Sequence, residues 1–455
     1  MVRPLDGCAS SLRLIAVALL LIPVLTSRAD ENEPSGVAPS EIPTPSSTEA
    51  IQAPAPPPPP APPWSGDLWT RSQLTGDWLG SRDTLAEHGL TFFGDLTQYY
   101  QGVAAGGFTR QFRYGGRGDY LLDIDSQKMG LWQGGHLDLR GESRFGQDIN
   151  VIDGVVAPSN FAMALPRAGQ NVTALTGVQY TQDFSQNLSI LFGKLDLLDG
   201  TPTTYARSPR LDYFWNSAMQ SNLTRAFLVP STLGAGIVVR DNVEPVFYFY
   251  VLDSHFTPTT SGLSTLFSNG VLLYAEYRQR TNWFDLPGHS SVGLLYSTAS
   301  RTVLDLNPSL QIQAIQAGGS LQAKTSAWTV TYRIDQVLYA DSADPKRNWT
   351  LNSDMGLTDG NPNPIRWFAN LSLVGGSPIR GRANDTVGVG YYHLGVSDLA
   401  VLQTLGFGAE NGVELFYNAA VTPWFHVTPD LQIIDPSQRR NSTAILVGLR
   451  GRLSF

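Results

Sequence analysis

From about residue 90 to its end, the chain alternates polar and apolar positions. In Gly135–Phe145 the even positions are His136, Asp138, Arg140, Glu142 and Arg144. The odd positions are Leu137, Leu139, Gly141, Ser143 and Phe145. A period of two places successive side chains on opposite faces of a β-strand, so this segment predicts a strand with one charged and one apolar face. Val271–Arg280 repeats the pattern, with Leu272, Tyr274, Glu276, Arg278 and Arg280 opposite Val271, Leu273, Ala275 and Tyr277. Ala327–Tyr339 sets Thr329, Thr331, Arg333 and Asp335 against Trp328, Val330, Tyr332 and Ile334. In Phe425–Ile433, His426, Thr428, Asp430 and Gln432 oppose Phe425, Val427, Leu431 and Ile433. The last segment, Ala444–Phe455, carries Ile445, Val447, Leu449, Gly451, Leu453 and Phe455 on one face and Arg450, Arg452 and Ser454 on the other. One helix is expected, Ser81–His88, closed by Gly89.

Two-faced strands build soluble sandwiches as well as membrane barrels. Two features favour the barrel. The polar rows mix both charge signs at neighbouring positions, as a narrow aqueous lumen needs. Aromatics pair up where strand ends are expected: Tyr99-Tyr100, Tyr213-Phe214-Trp215, Trp283-Phe284, Trp367-Phe368, Tyr391-Tyr392 and Trp424-Phe425. Such pairs fit the interfacial girdles of an outer-membrane barrel. Closure also removes exposed sheet edges. With about 9–11 residues per spanning strand, the chain accommodates about 14 to 18 strands. The expected fold is all-β: a transmembrane antiparallel up-and-down barrel preceded by a short periplasmic helix.

The N-terminus reads as an export signal. Arg3 and Arg13 precede the apolar run Leu14–Leu25, too short to span a bilayer as a helix, and Ser27-Arg28-Ala29 places cleavage after Ala29. Asp30 to Pro63 is acidic, then rich in proline (Pro56–Pro60), with no apolar periodicity. It predicts a disordered segment stiffening towards polyproline II. Two roles stay open for it, a plain spacer and a tether reaching towards the cell wall. Residues 64–455 then form the barrel domain.

Composition narrows the class further. Charged residues make up 15% of the 455 residues, against roughly 25% in soluble proteins, and the formal net charge of −8 argues against nucleic acid. The single cysteine, Cys8, precedes the apolar run and leaves with the leader, so no disulfide, thiolate metal site or cysteine nucleophile is expected.

Several motifs, in order, resemble the OprB-type carbohydrate-selective porins of bacterial outer membranes. They are Leu74–Arg82 (LTGDWLGSR), Leu85–Thr91, Gly130–Gly135 (GLWQGG), Leu191–Asp196 (LFGKLD), Leu286-Pro287-Gly288, Asp335–Tyr339 (DQVLY) and Asn361–Pro364. The closing block is the most specific: Glu414–Tyr417 (ELFY), Val421–Ile434 (VTPWFHVTPDLQII) and Val447–Phe455 (VGLRGRLSF). The resemblance implies a single 16-stranded barrel in contact with outer-membrane lipid that passes small carbohydrates passively. It also implies that Phe455 is the terminal aromatic read by the barrel-assembly machinery. The long proline-rich segment and the lack of a cell-wall-binding domain depart from some relatives.

A pore for neutral sugars must replace stripped water with hydrogen bonds and hold no net field that favours ions. Paired Arg and carboxylate side chains supply both. Only Lys128, Lys194, Lys324 and Lys346 among the 31 basic residues are lysines, so the lumen is expected to be arginine-rich. The pore-lining candidates are Arg140, Glu142 and Arg144; Lys194 with Asp196; Glu276, Arg278 and Arg280; and Arg333 with Asp335. For each, a plain role as a solvated wall residue in a cross-strand pair stands beside a role in selectivity. Arg450 and Arg452 read as wall or rim.

No catalytic, metal or cofactor motif emerges. The six histidines (His88, His136, His255, His289, His393, His426) lack ligand spacing. Asp123 and Asp125 are plainer as strand neighbours than as a glycosidase dyad. Asp354–Asp359 lacks calcium-loop spacing. Three alternatives remain open: a weakly selective general porin, an envelope-structural protein anchored through its proline-rich arm, and an exported soluble β-protein.

Overall fold

The computed structural model describes residues 61–197, 213–220, 229–242, 244–305, 309, 316, 322–342, 344 and 347–455. The expected leader cleavage and the proline-rich segment up to residue 60 lie outside them. The rest of the chain, Ala61–Phe455, is one compact unit.

Sixteen strands close into an antiparallel barrel. They are β1 (Leu90–Gly107), β2 (Phe112–Asp125), β3 (Gly135–Gly146), β4 (Val172–Ser185), β5 (Leu188–Asp196), β6 (Ser231–Asp241), β7 (Glu244–Asp253), β8 (Val271–Trp283) and β9 (Leu286–Ser297). After a small accessory hairpin of β10 (Arg301–Thr302) and β11 (Ala323–Lys324) come β12 (Ala327–Ala340), β13 (Asn348–Thr358), β14 (Ile365–Gly376), β15 (Thr386–Val396), β16 (Glu410–Thr422), β17 (Phe425–Asp435) and β18 (Ser442–Ser454). Each barrel strand pairs with its sequence neighbours, and β18 closes on β1 with Tyr99 opposite Arg450 and Asp95 opposite Ser454. Closure satisfies every strand's backbone groups within the protein, which hydrocarbon requires.

The alternation holds in three dimensions. On β9, Leu294 faces outward and half-exposed while Ser291 and Leu295 are buried inside. Val413 and Leu415 of β16 lie exposed, whereas Glu414 and Phe416 point into the barrel. At one end the turns are tight. The two-residue turn between β8 and β9 has Phe284 and Asp285 both at positive φ (57° and 60°), the geometry that matches strand twist in a hairpin. At the other end the connections are long, notably 147–171 between β3 and β4 and 197–230 between β5 and β6. Short periplasmic turns and long outer loops are the usual asymmetry of such barrels.

The described parts of both loops, 147–171 and 213–220, fold inward. Ile149, Ile152 and Ala157 of the first, with Phe214, Ala218 and Met219 of the second, form an apolar cluster with Val103, Phe368, Val374, Tyr392, Leu394, Phe416, Ile434, Ala444 and Leu446 of the wall. This core lies within the barrel, against β14–β18 and β1. Close approach requires glycine in the wall: a Cβ on Gly390 would collide with the Met219 methyl, and one on Gly448 with the Trp215 ring.

Helix α1 (Ser81–Glu87) forms as expected, with Gly89 at φ 85° just beyond its end. The aromatic pairs divide. Trp283-Phe284, Trp367-Phe368 and Trp424-Phe425 sit at strand ends, whereas Tyr99-Tyr100 and Tyr391-Tyr392 lie within strands. The girdle expectation for Tyr213-Phe214-Trp215 is corrected. These residues belong to the inward β5–β6 loop, where Phe214 packs edge-on against Phe416 and Trp215 against Tyr99. Burying two large rings inside the barrel removes more apolar surface from water than an interfacial position would.

Candidate functional site

Period two brings the predicted charged residues into the lumen, where they form pairs across strands. Arg140 on β3 reaches over β4 to Asp196 on β5, 3.8 Å away. Gly177 lies between them on β4 with no side chain to obstruct the contact; an added Cβ would sit 3.1 Å from Arg140 and 3.6 Å from Asp196. Only 16% of the Arg140 side chain meets solvent.

A second row lines β7, β8, β9, β12 and β13. Arg278 pairs with Asp335 at 3.6 Å, and Arg333 with Asp354 at 3.8 Å. His289 joins Asp335 (3.2 Å) to Glu244 (3.3 Å), and Glu244 binds Arg280 at 2.6 Å. A chain of polar contacts thus runs from Arg278 through Asp335, His289 and Glu244 to Arg280. Arg280 is half-exposed, on the part of β8 that leads to a tight turn. Glu276 is buried and accepts a hydrogen bond from Tyr274. Tyr274 stacks on Tyr250, which stacks on Tyr248.

Other candidates hold loops. Arg144 donates through Nε to the Met163 carbonyl (2.6 Å), through Nη1 to that of Gln170 (2.8 Å) and through Nη2 to Asp148 (2.5 Å). Neither side chain of the Arg144–Asp148 pair is solvent-accessible. Lys194 makes no ion pair with Asp196; its Nζ donates to the carbonyls of Leu175 (2.7 Å), Pro258 (3.1 Å) and Thr260 (2.8 Å), tying the β7–β8 loop to the wall. Glu142 lies 3.3 Å from Arg117, which also binds Asp119 through both nitrogens of its fork and donates to the Ala162 carbonyl at 2.7 Å. Arg450, expected at the wall or rim, sits inside, with its guanidinium 5.4 Å from the Trp215 ring centre and donating to the Tyr213 carbonyl.

Arg117, Asp119, His289 and Asp354 were not among the sequence candidates. Arg117 and Asp119, two apart on one strand, share a face and could have been found by that spacing. The glycines around them, Gly115, Gly116 and Gly118, hide the alternation.

The lumen therefore holds two kinds of charge. Arg117, Arg144, Lys194 and Arg450 are engaged with loop backbone and set where the loops lie. The pairs Arg140–Asp196, Arg278–Asp335 and Arg333–Asp354 join side chains across strands on the barrel's inner face. Guanidinium groups there offer fixed donors and carboxylates offer acceptors, an arrangement suited to a neutral polyhydroxylated solute.

Comparison with known proteins places this architecture. Residues 109–455 match the family described as "Carbohydrate-selective porin, OprB family". The chain is 23% identical over 414 residues to Porin B of Pseudomonas aeruginosa, covering 79% of this chain and 86% of that one. The high-pH structure of Pseudomonas putida OprB superposes with a TM-score of 0.73 at 20% identity, covering 86% of this chain and 100% of the other. The low-pH structure of the same protein gives 0.53 at 18% identity, with 85% and 99% covered. With a sixteen-stranded closed barrel and a family match over most of its length, the chain belongs to the OprB family of carbohydrate-selective porins and is a carbohydrate uptake channel of the bacterial outer membrane.

Proposed function

We propose that small carbohydrates cross by facilitated diffusion along the lumen's compensated charge pairs. The observation that supports this reading is the pairing of Arg140 with Asp196, Arg278 with Asp335 and Arg333 with Asp354 in a passage narrow enough to leave these side chains mostly buried. A sugar entering so tight a space sheds water. Guanidinium donors and carboxylate acceptors replace those hydrogen bonds without committing to one sugar orientation. Because each cation has an anion beside it, the pairs hold little net field, and ions gain less than a neutral solute does. Transport is passive and follows the gradient. Liposome swelling with mono-, di- and trisaccharides tests the reading. Arg140→Ala and Arg333→Ala are expected to blunt discrimination among sugars. Swelling rates that follow solute size alone, in wild type and variants alike, would make the protein a general porin.

Three further assignments belong to the same reading. Residues 1–29 are a leader cleaved after Ala29, Phe455 is the signal that the barrel-assembly machinery reads, and residues 30–63 are a spacer between leader and barrel, for which a tether to the cell wall is the alternative role. N-terminal sequencing of the exported protein and deletion of Phe455 test the first two. Deletion of Glu31–Pro63 tests the third: intact sugar uptake with a disturbed envelope supports the tether, and an undisturbed envelope the plain spacer.

A further inference from the structure

Glu410 and Glu414 stand on the same inward face of β16, four residues apart, each almost fully buried. Burying a carboxylate is unfavourable unless donors surround it. The donors here come from the two inward loops. The two Glu410 oxygens accept the backbone N–H groups of Val156 (2.6 Å) and Ala157 (2.9 Å), successive residues of the β3–β4 loop. The Ser437 N–H (3.2 Å) and the Tyr392 hydroxyl (3.2 Å) complete its shell. Glu414 repeats the arrangement on the other loop, accepting the N–H groups of Trp215 and, at 3.0 Å, Asn216. On the adjacent strand, Gln432 donates to the Ser159 carbonyl of the first loop (2.9 Å) and accepts from Asn216 Nδ2 of the second (3.3 Å).

Two successive N–H groups aimed at one point form an anion-binding concavity. In both loops a carboxyl group of the barrel wall supplies the acceptors. We infer that Glu410 and Glu414 are positioning residues for the constriction: one strand carries two carboxylate pegs, each chelating the backbone of one inward loop, and together they set the free cross-section beside the charge pairs. The loops are long, and ordering them costs conformational entropy that their apolar contacts alone share with many other packings. A pair of hydrogen bonds from successive backbone N–H groups to one fixed carboxyl selects one packing. The inference rests on the channel reading of the lumen.

Single-channel current in planar bilayers, with amide hydrogen exchange on the same refolded protein, tests the pegs. Glu410→Ala and Glu414→Ala are expected to keep heat-modifiable gel migration, to raise conductance roughly twofold, and to weaken saturable block by a disaccharide. Exchange should accelerate at Val156 and Ala157 in the first variant and at Trp215 and Asn216 in the second. Wild-type conductance with wild-type exchange in both would overturn the inference. Should the alanine variants fail to refold, E410Q and E414Q, which keep shape and one acceptor oxygen, are read by the same exchange. Acceleration confined to the loop amides supports the pegs, and unchanged protection overturns them. If wild type itself ignores sugars, carbohydrate selectivity fails, while the conductance of the variants still decides the role of the pegs.

Discussion

The guanidinium of Arg82, on the helix before the first strand, donates to the main-chain oxygen of Phe455 at 3.2 Å. The same group donates to the Phe92 carbonyl on β1 and lies between the rings of Trp64 and Trp78, 4.6 and 4.8 Å from their centres. Leu74 N–H donates to the Ser454 carbonyl and Trp424 Nε1 to the Leu68 carbonyl. The segment before β1 thus braces the seam where the barrel closes.

Replacing Arg82 by alanine removes two cation–π contacts and leaves buried carbonyls without a donor. It is expected to cost roughly 2 kcal/mol or more of seam stability, with Arg82→Lys intermediate because an ammonium lacks the planar fork. The temperature at which the folded gel band converts to the unfolded one should fall in that order. An unchanged transition in Arg82→Ala would show that the brace contributes nothing.

Arg144 and Arg140 were equivalent in the sequence, four positions apart on one face of one strand, yet their roles should separate. Arg144→Ala strands Asp148 as a buried unpaired charge and is expected to cost about 3–5 kcal/mol, loosen the β3–β4 loop and raise conductance. Arg140→Ala keeps the Arg144 bonds to Met163, Gln170 and Asp148 and, because Arg140 is only partly enclosed, is expected to change sugar block at a smaller cost in thermal stability. Equal stability losses in the two variants would contradict the division between loop-holding and solute-facing arginines.

This division also marks what the sequence could reveal. Lipid and lumen alternate strictly along a spanning strand, so the faces of β3, β8, β12, β17 and β18 were legible from period two, and the closing motifs were legible by resemblance. The inward loops were not. Tyr213, Phe214 and Trp215 have the composition of an interfacial girdle, and only tertiary contact with Phe416 and Tyr99 distinguishes a ring buried in the lumen from one at the lipid boundary. Lys194 similarly looked like half of an ion pair with Asp196, because carbonyl partners contributed by loops leave no trace in a strand's pattern.

Asp153, in the β3–β4 loop, is buried, and burial pushes its carboxyl up from 3.8 to about 7. Ser159 donates to it at 2.5 Å, while Glu410 and Asp148 nearby oppose its ionisation. A raised value means that the docked loop holds the proton more tightly than the undocked one. Docking is therefore strongest below about pH 4 and weakens as pH rises towards 7. Current noise is expected to increase from about pH 4 to about pH 7, and Asp153→Asn should remove that part of the dependence. A wild-type profile in Asp153→Asn would assign the effect elsewhere.

Leu294 projects from β9 towards lipid, while Ser291 on the same strand faces the lumen. Leu294→Arg is expected to destabilise the inserted barrel by roughly 2–4 kcal/mol if it lies near the bilayer midplane, whereas Ser291→Ala is tolerated. Refolding yield in lipid vesicles reads the difference, and equal yields would place Leu294 away from the hydrocarbon.

In the proposed function, compensated Arg–carboxylate pairs lining the lumen select carbohydrates. Single-channel current through the refolded wild-type protein, titrated with mono-, di- and trisaccharides, tests it most directly. A small conductance blocked saturably by one class of sugar is expected. A large ohmic conductance, indifferent to every sugar, would contradict it.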